Sequence, residues 1–241
     1  MSKRILDRVA VCVGMPRSGT TWLYQNLKSH PQISVTNPKE TLHYLHSSDY
    51  EGLLSYFGDS TSKYLIDINP IYFLDLEAIE RVSHYHERVI LIRRGTEEWR
   101  KSIIAQTERY GTKSNLERML FPFPRGDGTE IILDLNTFEP ELQIQKIQEI
   151  LGERLIILEF EKLKEDPVGL LNSVERHIGC DEYFTPDNIH NRKINSRDHK
   201  IPVLLRILYR LNLIQPLGRV ARVILPERFY NYLLKKYWYG G

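Results

Sequence analysis

No stretch of this 241-residue chain approaches the ~18–20 consecutive apolar residues that span a bilayer, so a membrane-embedded bundle is not expected. Cysteine is scarce. Two residues cannot form the disulfide framework of a small secreted domain, and Cys12, inside an apolar run, reads as a small core residue. A reducing, cytoplasmic setting follows as the expectation. The chain has no low-complexity tract and no internal repeat; 41% apolar and 27% charged residues fit one sizeable core, at most with a small appendage. No Cys/His cluster has metal-ligand spacing, so no metal is expected. The opening "MSKRILDRVAVCVGM" resembles a leader in having basic then apolar residues, but Asp7 and Arg8 interrupt it and leave no room for a cleavage site.

The net charge of +2 conceals an asymmetry. Residues 201–241 hold seven Lys/Arg against one acid, Glu227, while residues 1–200 carry more acids than bases. Basic residues gathered in one tail, with no recognisable module, do not suggest nucleic-acid binding. Within that tail, "IPVLLRILYRLNLI" puts Val203, Leu204, Ile207, Leu208 and Leu211 on one helical face and Arg206 and Arg210 on another. Such a helix could touch a membrane surface peripherally, or pack its apolar face on the domain.

Five short apolar runs read as buried parallel strands: 9–14, 33–35, 64–68, 88–93 and 154–160. Helix-like segments alternate with them at 21–29, 50–57, 74–86, 97–110 and 140–151. The expected fold is α/β: a P-loop-like, doubly wound parallel sheet of about five strands flanked by helices. Residues 1–195 would form this domain and 196–241 a basic helical C-terminal extension. The segment 121–138, rich in Pro, Gly and Asp, reads as a loop or small lid.

In such sheets ligands bind beyond the C-terminal ends of the strands. There the first strand runs into "GMPRSGTTW" (14–22), and Gly14 and Gly19 have the spacing of a phosphate-binding loop. Thr21 fills the Ser/Thr position, but Thr20 stands where a nucleoside triphosphatase has its lysine, and Arg17 supplies a cation three residues earlier. Backbone N–H groups of residues 17–21, with the hydroxyls of Thr20 and Thr21, form a concave anion site. Without the lysine that reaches the β- and γ-phosphates, a triphosphate fits poorly.

The stretch "PRSGTTWL" resembles the 5′-phosphosulfate loop of sulfotransferases that use 3′-phosphoadenosine 5′-phosphosulfate as donor and release adenosine 3′,5′-bisphosphate. The resemblance implies donor contacts from Arg17, Ser18, Gly19, Thr20, Thr21 and Trp22, with Arg17 also at the transferred group. A second signature of that family, a strand-end Arg followed eight residues later by a Ser, is similar to "RRGTEEWRKS". Spacing from Ser102 favours Arg94 over Arg93 for the donor's 3′-phosphate. "LEFEKLKEDPVGLLNSVERHIG" (158–179) resembles a further family segment, with Glu161, Leu163, Asp166 and Pro167 as scaffold. The late cations Arg192 and Lys193 match a basic loop that covers the donor.

"NPKETLHYLHSSDYEGLLSYF" and "YLIDINPIYF" resemble the heparan-type and bacterial branch, in which a glutamate is the general base; the matching residue is Glu40. The histidine of the cytosolic aryl and steroid branch has no counterpart in "IDINP". His43 is the alternative base, and Lys39 a candidate for the sulfuryl group. A lysine and a histidine that some heparan-type members carry are replaced by Ile68 and Gln106. Asp67, at a strand end, reads as structural or as part of the acceptor site. The implied reaction is sulfuryl transfer to a hydroxyl or amino group of a carbohydrate or small metabolite. Two other readings stay open: a kinase with a degenerate phosphate loop, and a non-catalytic nucleotide-binding protein.

Overall fold

Every residue of β1 (Val9–Gly14) is buried, as befits a strand with neighbours on both sides and cover on both faces. The computed structural model describes residues 8–110 and 115–190. Along the chain follow β2 (Ile33–Val35), β3 (Tyr64–Ile68) and β4 (Val89–Arg93). A hairpin of β5 (Leu120–Pro124) and β6 (Glu130–Asp134) precedes β7 (Leu155–Glu159). Five of these form one sheet in the order β2-β3-β1-β4-β7, with every pairing parallel. The expected doubly wound sheet is present.

Side chains alternate across a strand, and β1 shows what that does. Val9, Val11 and Val13 enter one core with Leu65, Val89 and Leu91. Ala10 and Cys12 enter the other with Ile66, Ile68, Ile90 and Ile92. The helices divide in the same way. α1 (Thr20–Leu27) and α7 (Pro167–Ile178) cover the second face through Leu23, Leu27, Leu170, Leu171 and Val174. α3 (Leu76–Tyr85), α4 (Thr96–Tyr110) and α5 (Pro140–Leu151) cover the first through Ile79, Val82, Trp99, Ile144 and Ile147. The shorter α2 (Tyr50–Leu54) and α6 (Lys162–Glu165) lie in the connections after β2 and β7.

Local chemistry sets the boundaries. Asp75 caps α3 by accepting from Glu77 N, and Asp166 caps α7 by accepting from Gly169 N. Pro140 and Pro167 open their helices, where a missing N–H costs nothing.

Three expectations need correction. The segment 121–138 is not an irregular loop: most of it folds as the antiparallel β5–β6 hairpin, which puts Phe121 and Leu133 into the core. The helix expected over 74–86 is preceded by a separate 3₁₀ turn, Pro70–Leu74, and starts at Leu76. The helix expected over 50–57 is α-helical to Leu54 and continues as a 3₁₀ turn, Ser55–Phe57. The C-terminal extension, with Arg192 and Lys193, lies outside the described residues. Among the described residues no helix is long and apolar enough to cross a membrane.

Candidate active site

The loop between β1 and α1 is held from behind. Met15 N donates to Ile92 O of β4 (3.0 Å). The indole Nε1 of Trp99, on α4, donates to Pro16 O (2.8 Å), and Arg94 Nη1 donates to Arg17 O (2.9 Å). Ser18 folds its hydroxyl back onto Met15 O. The carbonyls of Pro16 and Arg17 are thus taken by groups outside the loop, and that of Met15 by the amide and hydroxyl of Ser18 within it. α1 begins with Leu23 N donating to Gly19 O (3.0 Å), so the preceding amides of Thr20, Thr21 and Trp22 have no acceptor within the helix. Arg17 (φ 65°) and Gly19 (φ 86°) turn the backbone through the left-handed region. Amides facing one way at a helix N-terminus, beside the half-buried Arg17, make an anion receptor.

Both glycines are required. A Cβ on Gly14 (φ 143°) would lie 2.6 Å from Phe73 Cβ and 3.0 Å from Pro70 O. On Gly19 it would meet Leu163 Cδ1 at 2.3 Å, with Phe160 at 3.3 Å. The "LEFEKL" segment therefore does more than place the last strand: Phe160 and Leu163 buttress the loop.

The two strand-end arginines part company. Arg94 is 15% exposed, reaches the loop carbonyl, and stacks its guanidinium over the Phe160 ring at 4.4 Å. Arg93 is 42% exposed and pairs with Glu141 (3.1 Å) and Glu159 (3.7 Å), away from the loop. Ser102 lies half-buried on α4, the helix that also supplies Trp99. Trp22 is anchored at the other end of the loop by Nε1 donating to His190 O (2.7 Å).

Glu40 and Lys39 follow β2, on the same sheet edge. Lys39 is almost buried, at 8%, and donates to Glu40 Oε1 at 2.6 Å; the Glu40 side chain is 43% exposed. The Lys39 charge lowers the pKa of both the Cys12 thiol on β1 and the Asp67 carboxyl on β3, against the larger raising effect of burial. His43 is buried, and its Nε2 is engaged with Asp49 O at 2.5 Å. Burial lowers its pKa. The structure thus points Glu40 outward and His43 inward.

Asp67 is fully buried on β3, in register with Val11. Burial pushes its carboxyl up to about 7, against the pull of bonds from Tyr72, Thr36 and Thr41 and of the Lys39 charge. Sequence reading left Asp67 without a defined task and passed over Trp99 and Phe160. Among the described residues no three His, Cys, Asp or Glu side chains are grouped as a metal ion requires.

Comparison with known proteins gives two findings. A family model described as "Sulfotransferase family" matches residues 10–52, the span of β1, the phosphate loop and the Lys39–Glu40 pair. Among solved structures, a sulfotransferase from Alicyclobacillus acidocaldarius superposes with a TM-score of 0.56 at 13% identity, over 92% of this chain and 98% of that one. A mouse sulfotransferase, SULT7A1, complexed with PAP, gives 0.46 at 16% identity over 76% of this chain and 62% of that one. A sulfotransferase domain from the curacin biosynthetic pathway gives 0.46 at 14% identity, over 78% of both chains. No curated protein matches the sequence. The likeness read from the motifs thus rests on an independent match over the loop and on a shared fold.

Proposed function

We propose that this chain, which has the sulfotransferase fold and that family's pattern over residues 10–52, is a sulfotransferase using 3′-phosphoadenosine 5′-phosphosulfate. The observation that carries the reading is the Arg94–Arg17 bond. Two motifs read separately from the sequence, 77 residues apart, meet there in one site.

The residues present fit such a donor. Amides, hydroxyls and a forked cation at a helix N-terminus suit a 5′-phosphosulfate, and an arginine with a nearby helix suits a second phosphate. Gly19, Thr20, Thr21 and Trp22 would hold the former, Arg94 and Ser102 the latter, while Ser18, whose amide and hydroxyl both donate to Met15 O, shapes the loop. When bound, the donor supplies the sulfuryl group and a phosphate leaving oxygen.

Arg17 and the loop amides offset negative charge that grows on the leaving oxygen, an effect strong in a site closed to water. Glu40 takes the proton of the attacking hydroxyl or amine as its new bond to sulfur forms, a contribution of roughly 10²–10⁴-fold. Lys39 occupies one face of Glu40 Oε1 and leaves the second oxygen to the acceptor. The acceptor class we propose is a hydroxyl or amino group on a carbohydrate or small metabolite.

A thermal-shift titration tests the donor site. Adenosine 3′,5′-bisphosphate at ~100 times its dissociation constant is expected to stabilise the fold by about 2.7 kcal/mol. ATP with Mg²⁺ should do far less. Stabilisation by ATP with Mg²⁺ alone would overturn the reading in favour of a kinase.

A further inference from the structure

Two chains of hydrogen bonds converge on the Asp67 carboxylate. His43 N donates to Thr41 Oγ1 (3.3 Å), whose hydroxyl reaches Asp67 at 3.4 and 3.5 Å. Tyr44 N donates to Tyr72 OH (3.1 Å), whose proton goes to Asp67 Oδ2 (3.1 Å). A third donor arrives from the other side: Thr36 Oγ1 lies 3.3 Å from Asp67 Oδ1 and 3.2 Å from Lys39 O. Thr36 and Thr41 bracket the turn that carries Lys39 and Glu40. One carboxylate therefore gathers the backbone from residue 36 to residue 44.

We propose that Asp67 is a positioning residue: by accepting from Thr36, Thr41 and Tyr72, its buried carboxylate fixes the Lys39–Glu40 turn on the strand edge that carries the phosphate loop. This rests on the sulfotransferase reading for what the turn does, but not for whether Asp67 holds it. The chemistry calls for an acid. Three hydroxyls face it, and a carboxylate is acceptor-only, with lone pairs enough for all of them. Tyr72 donates to it, while Thr36 shares its proton between Asp67 and Lys39 O, and Thr41 between Asp67 and Tyr72 OH. An amide of equal size offers one acceptor oxygen in place of two, so at least one of the three hydroxyls must turn away from residue 67 and its hold on the turn is lost. Burial raises the carboxyl to about 7, against the hydroxyl bonds and the Lys39 charge, so above that pH the acceptor-only form is the one present. Asp67 itself is fully buried beneath the turn, so its effect on transfer is exerted through Glu40.

The test compares the full-length wild type with Asp67→Asn, Thr41→Val and Thr41→Ser by hydrogen exchange at pH 8, with turnover and bisphosphate affinity beside it. In Asp67→Asn and Thr41→Val, amides of residues 36–44 should exchange about tenfold faster, while those of β1 and α1 keep their protection. Turnover at saturating donor should fall ~10–100-fold, the cost of a misplaced catalytic group, with the donor KM and bisphosphate affinity unchanged. Thr41→Ser, which keeps the hydroxyl, should behave as wild type. Unchanged exchange over 36–44, or a rise shared by every strand, overturns the proposal. Should Asp67→Asn fail to fold, the Thr41 pair decides the matter alone. If wild type binds no bisphosphate, the sulfotransferase reading falls, and the exchange result still shows whether Asp67 holds the turn.

Discussion

A guanidinium that donates to a loop carbonyl and sits over a phenyl ring has few alternative positions. Arg94 does both, against Arg17 O and Phe160, with its Nη2 3.9 Å from Glu98 Oε2, so the guanidinium is held in one orientation. Charge-assisted bonds of this kind are worth roughly 1.5–3 kcal/mol each. Arg94→Ala should therefore weaken adenosine 3′,5′-bisphosphate binding by ~10–100-fold in calorimetry. Arg93→Ala, which removes only exposed pairs with Glu141 and Glu159, should leave the affinity as it was. Equal losses from the two variants would remove Arg94 from the donor site. The residue that sequence spacing favoured is the one that the fold turns inward. Asp67 is different: its partners Thr36, Thr41 and Tyr72 lie 31, 26 and 5 positions away, and nothing in a linear pattern marks them as a set.

At the scale of elements, the phosphate loop is shaped by what packs beneath it. Gly14→Ala forces a Cβ against Phe73 Cβ and a backbone oxygen, neither of which can swing away. Gly19→Ala meets a mobile leucine methyl but must still hold φ at 86°. Both should destabilise by about 1–3 kcal/mol, Gly14→Ala the more, measured by urea unfolding. A variant at either position as stable as wild type would contradict this packing. The five parallel strands were legible because strands covered on both faces read as unbroken Val/Ile/Leu runs. The β5–β6 hairpin was not, because Pro122 and Pro124 on one side and Gly126 and Gly128 in its turn carry the marks of a loop. A free two-stranded ribbon tolerates proline where a central strand does not, since its outer edge donates to nothing.

For the molecule as a whole, burial of four histidines decides how it meets acid. The pKa values of His30, His43 and His177 are lowered by burial, and His86 is pushed down from 6.5 to about 4. Below pH 6.5 the unfolded chain takes up protons that the folded chain refuses, so stability falls as pH drops toward 4. Asp67 acts in the opposite sense, because between 3.8 and about 7 the folded chain keeps a proton that the unfolded chain releases. The histidines are expected to prevail over Asp67, and the melting temperature should be lower at pH 5 than at pH 7.5; a melting temperature that holds or rises would refute this balance. The strand order has a further consequence, for biosynthesis. β1 leaves the ribosome ahead of the other described strands, yet its two neighbours, β3 and β4, are complete only at Ile68 and Arg93. For some eighty residues of translation, an all-apolar strand has no permanent partner on one side. Non-local pairing of this kind is slow to form and open to aggregation. The stretch with the strongest claim to function is also the one a nascent chain must shield longest.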